Sequence, residues 1–212
     1  EQVQRLSQPM PNLLLRVWAA ITFLLCWIAA FMATVMLWPS QRCAPSLSLR
    51  VFQLLQFALP LKLCPFWRIR RVVTDQDALR DVQAGRCICV CNHLSLLDAA
   101  VIATLPAPLK FLGRMDQANL PLIGWSLRIL RWPFIKFAEG NVADGATTRK
   151  AMADCANFVR AGGSLVVFPE GLLSHSETEM RTFKDGAFRL AAEANARIVP
   201  LRISGVFETR LR

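Results

Sequence analysis

Residues 87–98 read Cys87-Ile88-Cys89-Val90-Cys91-Asn92-His93-Leu94-Ser95-Leu96-Leu97-Asp98. The apolar first half predicts a buried strand, and a helix is expected to begin near Ser95. A neutral imidazole can take a proton from a hydroxyl, and a carboxylate on its second nitrogen fixes the tautomer and stabilises the imidazolium. Five residues of regular helix rotate by about 500°, so His93 and Asp98 meet only if a turn separates strand and helix. The alternative is a helix capped by Asn92 or Ser95, with His93 on the surface.

A second polar group follows another apolar run far downstream. Residues 165–168 are apolar and lead directly into Pro169-Glu170-Gly171. Ligands of α/β proteins bind beyond the carboxyl ends of the strands, so His93 and Glu170 are expected at one edge of the same sheet. Together the two groups favour a catalytic site over a capped helix with a surface histidine.

From residue 68 onward, strand-like apolar runs alternate with helical patterns. The clearest helix repeats apolar residues at Met152, Cys155, Ala156 and Val159 and is stopped by Gly162-Gly163. This alternation predicts an α/β fold with a mixed, largely parallel sheet flanked by helices. Predicted strands cover 87–90, 109–112, 134–137, 165–168 and 198–203, and predicted helices cover 95–104, 120–130, 147–160 and 185–195.

The N-terminal part is much more apolar. Residues 17–38 carry no charge, and as a helix they extend about 33 Å, enough to cross a hydrocarbon core of about 30 Å. Trp18 and Trp38 stand at the ends, where indole rings favour the membrane interface. We expect a membrane span rather than a signal peptide, because the run is long and lacks a small-residue cleavage site. Residues 46–67 are apolar but broken by charges and prolines, which predicts an interfacial or re-entrant helix.

The chain is therefore divided into an N-terminal membrane anchor, residues 1–67, and a globular domain, residues 68–212. Arg5 and Arg16 precede the span and Arg42 and Arg50 follow it, so the count of nearby cations does not orient it. We expect the globular domain on the cytoplasmic side of a bacterial inner membrane or of the endoplasmic reticulum. The start at Glu1 rather than Met, and the end soon after the last predicted strand, leave truncation at the C-terminus open.

The composition limits the classes of binding partner that the chain can have. The 212 residues are 54% hydrophobic and carry a formal net charge of +10, with 20 Arg and 5 Lys. Such a basic chain suits nucleic acid, an anionic membrane surface or phosphorylated substrates. The cations are scattered and match no nucleic-acid-binding motif, so we exclude nucleic acid. Anionic lipid is the expected partner, at about 1 kcal/mol per well-placed cation.

Seven cysteines, an odd number without the spacing of a disulfide framework, indicate a reducing compartment for the globular part. Cys87, Cys89 and Cys91 alternate with period two, so one face of the strand would carry all three. A metal site is one interpretation, but the C-x2-C pairs usual for zinc are missing. We favour small buried hydrophobic side chains and expect no metal.

The motifs closely resemble those of the glycerophospholipid acyltransferase family, whose best-known members are 1-acylglycerol-3-phosphate acyltransferases. The resemblance extends from about Arg68 to Gly205. Its blocks here are Asn92-His93-Leu94-Ser95-Leu96-Leu97-Asp98, Phe168-Pro169-Glu170-Gly171 and Ile198-Val199-Pro200-Leu201, accompanied by residues 160–164 and 183–188.

This resemblance implies acyl transfer. His93 would deprotonate the free hydroxyl of a lysophospholipid, and that oxygen would attack the thioester carbonyl of acyl-CoA or acyl carrier protein. Asp98 would orient His93, Glu170 and Gly171 would line the acceptor site, and Pro200 belongs to a block linked to donor binding. Because the donor arrives activated as a thioester, no cofactor is expected. The expected partners are membrane lipids, the lysophospholipid and the acyl thioester, and the sequence does not set an oligomeric state.

Two departures from the family's pattern concern the acceptor. The second block usually reads G-x-x-F-I-x-R, whereas residues 131–137 read Arg-Trp-Pro-Phe-Ile-Lys-Phe, and the third usually continues Thr-Arg where Leu172-Leu173 stand. The family uses both missing arginines around the acceptor's phosphate, which suits the bidentate guanidinium. Nearby cations could replace them, although for all but Lys184 a solvated or lipid-facing position is an equal alternative; these are Arg131, Lys136, Arg181 and Lys184.

Three functions follow from this comparison. The first is an acyltransferase that converts 1-acylglycerol-3-phosphate into phosphatidic acid. The second is an acyltransferase for another lysophospholipid, of the lysophosphatidylethanolamine type, and the third is a non-catalytic lipid-binding relative. The missing arginines support the second and third, whereas the intact His93, Asp98 and Glu170 favour catalysis. His175 is expected on the surface, with assistance at the site as the alternative.

Overall fold

A parallel β-sheet forms the centre of the molecule. The computed structural model describes residues 13–64 (without the Arg42 side chain), 72, 75–95, 97–137, 144–174, 176 and 179–204. Four parallel strands are ordered β2-β5-β1-β6, and two further strands, β3 and β4, form a separate parallel pair. Their bounds are β1 Cys87–Cys91, β2 Leu109–Phe111, β3 Gly113–Arg114, β4 Phe134–Ile135, β5 Ser164–Val167 and β6 Arg197–Leu201.

Helices flank the sheet, which confirms the predicted α/β class with an N-terminal apolar helix. In the described ranges the α-helices are α1 Leu13–Met36, α2 Pro45–Gln53, α3 Leu59–Leu63, α4 Gln76–Ala84, α5 Leu97–Ile102, α6 Ile123–Ile129, α7 Gly145–Arg160 and α8 Gly186–Ala194. Two 3-10 helices are formed by Pro39–Arg42 and Met115–Asn119, and a π-helix is formed by Leu54–Ala58.

The alternation of side chains along β1 separates two hydrophobic cores. Cys87, Cys89 and Cys91 face one core together, and all three thiols are free and buried, as the favoured interpretation predicted. Ile88 and Val90 face the other core, which α7 and α8 cover. A strand buried on both faces accounts for the continuous apolar run in the sequence.

The N-terminal helices cover the cysteine side of the sheet. Ala30 of α1 is fully buried in the core there, and so is Phe52 of α2. Phe31 also meets Trp125 of α6 edge to face, with 5.7 Å between ring centroids. Within the described residues α1 is the one helix long and apolar enough to cross a bilayer, with 24 residues and a mean hydropathy of 2.2.

The segment predicted as an interfacial helix over 46–67 is helical from Pro45 to Leu63, through α2, the π-helix and α3. It turns back along α1 and buries Leu49, Phe52 and Leu61. Residues 65–67 lie outside the described ranges. The division into an anchor and a globular domain at residue 67 stays a prediction.

Candidate active site

The loop that carries His93 connects β1 to α5. Residues 92–95 are non-helical, and α5 begins at Leu97. Asn92 fixes the start of this loop, because its Nδ2 donates to the carbonyl oxygen of Ile203 and its Oδ1 accepts from the Ile203 amide, both at 2.9 Å. The loop is thus held against the segment that follows β6.

The loop curls around the carboxylate of Asp98, which is fully buried. Its Oδ2 lies 2.9 Å from His93 Nδ1 and also accepts from the backbone N–H groups of Leu94, at 2.6 Å, and Ser95, at 2.8 Å. The predicted turn between strand and helix therefore exists and brings the two side chains together. With a carboxylate as partner, we assign the proton of the neutral ring to Nδ1, which leaves the lone pair on Nε2.

An aromatic wall supports the imidazole. The Phe168 ring stacks on His93 with 4.0 Å between centroids and 13° between planes. Phe111, at the end of β2, lies nearly parallel to Phe168 at 6.3 Å. The His93 side chain keeps 18% of its surface exposed, so the ring is fixed on one face and still reachable by a substrate.

Glu170 joins three segments of the site through backbone hydrogen bonds. Its carboxylate is buried, Oε1 accepts from the His93 amide at 3.0 Å and Oε2 accepts from the Arg181 amide at 3.1 Å. A further bond runs from the Ser174 amide to the His93 carbonyl oxygen, at 2.7 Å. The structure thus places Glu170 beside His93, where both of its oxygens order the loops.

Gly171 and Lys184 lie in contact at the margin of the site. Gly171 has a φ of +70°, and a Cβ there would come within 2.9 Å of Lys184 Nζ. The Lys184 amide donates to the Pro169 carbonyl oxygen at 2.9 Å, which holds this cation beside the loop. Arg181 Nε is buried and has no hydrogen-bond partner among the described residues.

The other predicted site residues lie further out. Pro200 lies on the edge strand β6, where its missing N–H is tolerated. It pairs in register with Val90 of β1, which lies three residues before His93. The Arg131 carbonyl accepts from Lys110 Nζ at 3.1 Å, and the backbone of Lys136 bonds to Thr147 and Asp144 at the start of α7. In the parts of the chain that are described, neither cation bonds to His93, Asp98 or Glu170, and His175 lies outside these parts.

Cys91, the last residue of β1, is not suited to be a nucleophile. Burial raises the pKa of its thiol to about 12, and the nearby charge of Asp98 acts in the same direction. Since the thiolate is the reactive form, this thiol is inert at neutral pH. Among the described residues, no group of three or more His, Cys, Asp or Glu side chains is placed to hold a metal ion.

Sequence reasoning missed the clamp formed by Asn92 and the stack formed by Phe168. Both residues belong to the motif blocks: Asn92 directly precedes His93, and Phe168 lies two positions before Glu170. An amide that follows a buried strand, and an aromatic ring at the end of the neighbouring strand, were the available signals.

Fold and site together define an α/β protein with a histidine–aspartate pair arranged for general-base chemistry. A profile of the Acyltransferase family matches residues 70–204. The chain therefore belongs to the Acyltransferase family, which confirms the resemblance inferred from the motifs.

Two relatives are named 1-acyl-sn-glycerol-3-phosphate acyltransferases. One, from Chlamydomonas reinhardtii, is 33% identical over 116 residues, which cover 55% of this chain and 33% of the relative. The other, chloroplastic BAT2 from Brassica napus, is 27% identical over 147 residues, which cover 68% of this chain and 40% of the relative. The matches thus span less than half the length of either relative.

A solved structure shares the fold. The 1-acyl-sn-glycerophosphate acyltransferase PlsC from Thermotoga maritima superposes with a TM-score of 0.55 and 19% sequence identity, over 89% of this chain and 77% of that one. This similarity includes more of the chain than the family profile does and supports the arrangement of sheet and helices described above.

Proposed function

We propose that this chain transfers an acyl group from acyl-CoA or acyl carrier protein to the free hydroxyl of 1-acylglycerol-3-phosphate, giving phosphatidic acid. The observation that carries the proposal is the 2.9 Å contact between His93 Nδ1 and Asp98 Oδ2, which directs Nε2 away from the carboxylate. The names of the relatives supply the substrate class.

In this mechanism Nε2 of His93 takes the proton of the acceptor hydroxyl. The hydroxyl oxygen attacks the thioester carbonyl, a C–O bond forms, the C–S bond breaks, and the thiolate leaves and receives the proton from the imidazolium. Asp98 stabilises the imidazolium in between. General-base assistance of this kind is worth about 10²–10⁴ in rate. Since the donor is activated beforehand, the proposed reaction requires neither a metal nor a cofactor.

Two cations support a phosphate-bearing acceptor. Lys184 Nζ lies against Gly171, and Arg181 Nε is a buried donor without a partner in the described structure. Both lie next to Glu170, whose oxygens are occupied by backbone amides. They stand in for the family's missing arginines. The backbone of Lys136 is held instead at the start of α7, and the Arg131 carbonyl accepts from Lys110 of β2.

The apolar α1 supports a position at a membrane, where both lipid substrates reside. We propose that α1 holds the chain at the bilayer with the active site on the cytoplasmic side. A site at the interface meets its acceptor without drawing a long acyl chain into water, which would cost about 0.8 kcal/mol per exposed CH₂.

The test is acyl transfer by the full chain in detergent, with a labelled acyl thioester and lysophosphatidic acid. His93→Ala should lower kcat by about 10²–10⁴. His175→Ala, which removes the other histidine, is the matched control and should retain activity. Full activity of His93→Ala would refute the proposed base.

A second acceptor is favoured by one observation, the replacement of Thr-Arg by Leu172-Leu173. The same assay with lysophosphatidylethanolamine in place of lysophosphatidic acid decides between them. A higher kcat/KM for lysophosphatidylethanolamine would transfer the proposal to that acceptor. Release of free thiol distinguishes both from a non-catalytic lipid-binding protein, for which no release is expected.

A further inference from the structure

A cavity of about 420 Å³ lies between the helical segment 45–63 and the turn that follows α5. The active-site loop precedes α5, whereas the cavity touches residues 103–107 beyond its other end. His93, Asp98 and Glu170 do not line it. Its size lies in the range of small-molecule and lipid-fragment sites, about 300–1,000 Å³.

The lining is basic at its ends and apolar in between. Arg50 and Lys62 are exposed, lie twelve residues apart on one helical segment and are separated by about 18 Å along its axis. Leu54, Ala58 and Leu61 line the cavity between them. In the described structure neither cation has a hydrogen bond or an ion pair, so both are available to an anionic ligand.

A buried, unpartnered donor lies at the Arg50 end. Gln53 is 3% exposed, and its Oε1 accepts from the Leu109 amide at 3.3 Å. Its Nε2 is buried and finds no acceptor in the described part of the chain. An unsatisfied buried donor is destabilising, so an acceptor supplied by a ligand would stabilise this position.

The backbone beside Gln53 is also unusual. The π-helix Leu54–Ala58 follows it directly, and Pro60, which has no N–H, lies two residues beyond. π-helical turns are rare and are often found at functional sites. This turn widens the helix at the position where Leu54 and Ala58 line the cavity.

We propose that this cavity binds one anionic phospholipid of the bilayer, separate from the reacting lipids. The phosphate contacts Arg50, an ester carbonyl accepts from Gln53 Nε2, and an acyl chain lies along Leu54, Ala58 and Leu61. The phosphate is assigned to the Arg50 end because Gln53 is one helical turn away. A bilayer lipid is the occupant because α1, whose exposed surface is apolar, packs against the π-helix and α3.

The experiment measures the Tm of the full chain in uncharged detergent with phosphatidylglycerol added. A ligand at about 100-fold its Kd should raise the Tm by about 5 °C or more, whereas phosphatidylcholine should shift it by less than about 1 °C. Glycerol 3-phosphate, which has the phosphate but no acyl chain, should give no shift. An equal shift with either compound would overturn the proposal.

Variants locate the binding. Arg50→Gln and Leu54→Glu, both at exposed positions, should abolish the shift, and Arg149→Gln, the same charge change on α7, should preserve it. Each variant is compared at its own lipid-free Tm, so a loss of fold is recognised by an absent melting transition.

One further variant separates this cavity from the active site. Lys184→Gln removes a cation beside Gly171 and should leave the shift intact; its disappearance there would show that phosphatidylglycerol binds at the active site. A shift that survives both Arg50→Gln and Leu54→Glu would equally overturn the proposal. Neither result depends on acyl transfer, so failure here leaves the proposed function untouched.

Discussion

Asp98 has an orienting and a structural role through a single oxygen. Oδ2 accepts from His93 Nδ1 and from two backbone amides, whereas Oδ1 is buried without a hydrogen bond among the described residues. The carboxylate therefore shapes the loop that places His93 and also provides the charge that an imidazolium requires. Two substitutions can separate these contributions.

Asp98→Asn keeps an oxygen that can accept the three hydrogen bonds but removes the charge. We expect kcat to fall by about 10²–10⁴ while the Tm changes little, because the loop keeps its acceptor. Asp98→Ala also removes the acceptor of the Leu94 and Ser95 amides and should lower the free energy of unfolding by about 1–3 kcal/mol per bond. Thiol release and thermal melting of both variants test this. Equal stability of the two variants would contradict the structural role.

The sequence identifies these residues but not what they do to one another. The spacing of His93 and Asp98, and the position of Glu170 after a strand, follow from patterns of side chains. The use of both Glu170 oxygens by backbone amides does not, because amide directions depend on how three distant loops meet. Nor does the sequence show that the Arg131 carbonyl accepts from Lys110 Nζ, because the two residues lie on separate elements.

Among the elements, five strands were predicted well because each lies in a short, mostly apolar stretch, and β1 and β5 are buried on both faces. Each of the five predicted strands lies within two residues of an observed one. Helix α4 was missed, because it is short and its apolar face consists of only Ala78, Leu79 and Val82, of which Val82 alone is fully buried. Asp75, which caps it, and Gly85, which ends it with a φ of +88°, were signals of its ends. Sheet order is set by pairings between residues that lie about 55 to 110 positions apart, which no local pattern encodes.

Lys110, on the edge strand β2, makes the free energy of unfolding depend on pH. Its Nζ lies 4.4 Å from the centre of the Phe158 ring and donates to the Arg131 carbonyl. Burial lowers the pKa of Lys110 to about 8, and the Arg131 charge acts in the same direction. An unfolded lysine has a pKa of about 10.4, so between about pH 8 and 10.4 the folded state binds fewer protons than the unfolded state. The charged Lys110 therefore destabilises the folded state most below pH 8. This destabilisation disappears as the pH rises and the buried amine loses its proton.

We predict that the stability of the native chain relative to Lys110→Met increases between pH 7 and pH 10. The measurement is denaturant unfolding of both proteins at the two pH values, in the same detergent. The buried thiols Cys91 and Cys155, whose pKa burial raises to about 12, oppose this trend but are present in both proteins and cancel in the difference. A stability difference that is constant or falls with pH would contradict the assignment.

At the scale of the whole molecule, the apolar N-terminal helix and the catalytic sheet share one hydrophobic core. Cys26, Ala30 and Thr34 are the buried residues of α1 and recur every four residues, so they form one stripe along the helix. Ala30 belongs to the same buried cluster as Cys89 of β1. The exposed sides of α1 are apolar as well, which suits lipid. The helix thus has a protein-facing stripe of small side chains, and its remaining surface is exposed and apolar.

This arrangement predicts opposite outcomes for one substitution at two adjacent positions. Ala30→Leu inserts a larger side chain where the exposed fraction is 0%, and overpacking should lower the free energy of unfolding by about 1–3 kcal/mol. Ala29→Leu makes the same change on an exposed side of α1 and should change it by less than about 0.5 kcal/mol. Thermal melting in detergent, followed by near-ultraviolet circular dichroism, compares the two. If both variants melted like the native chain, α1 would be an independent anchor, and the shared core would have no energetic role.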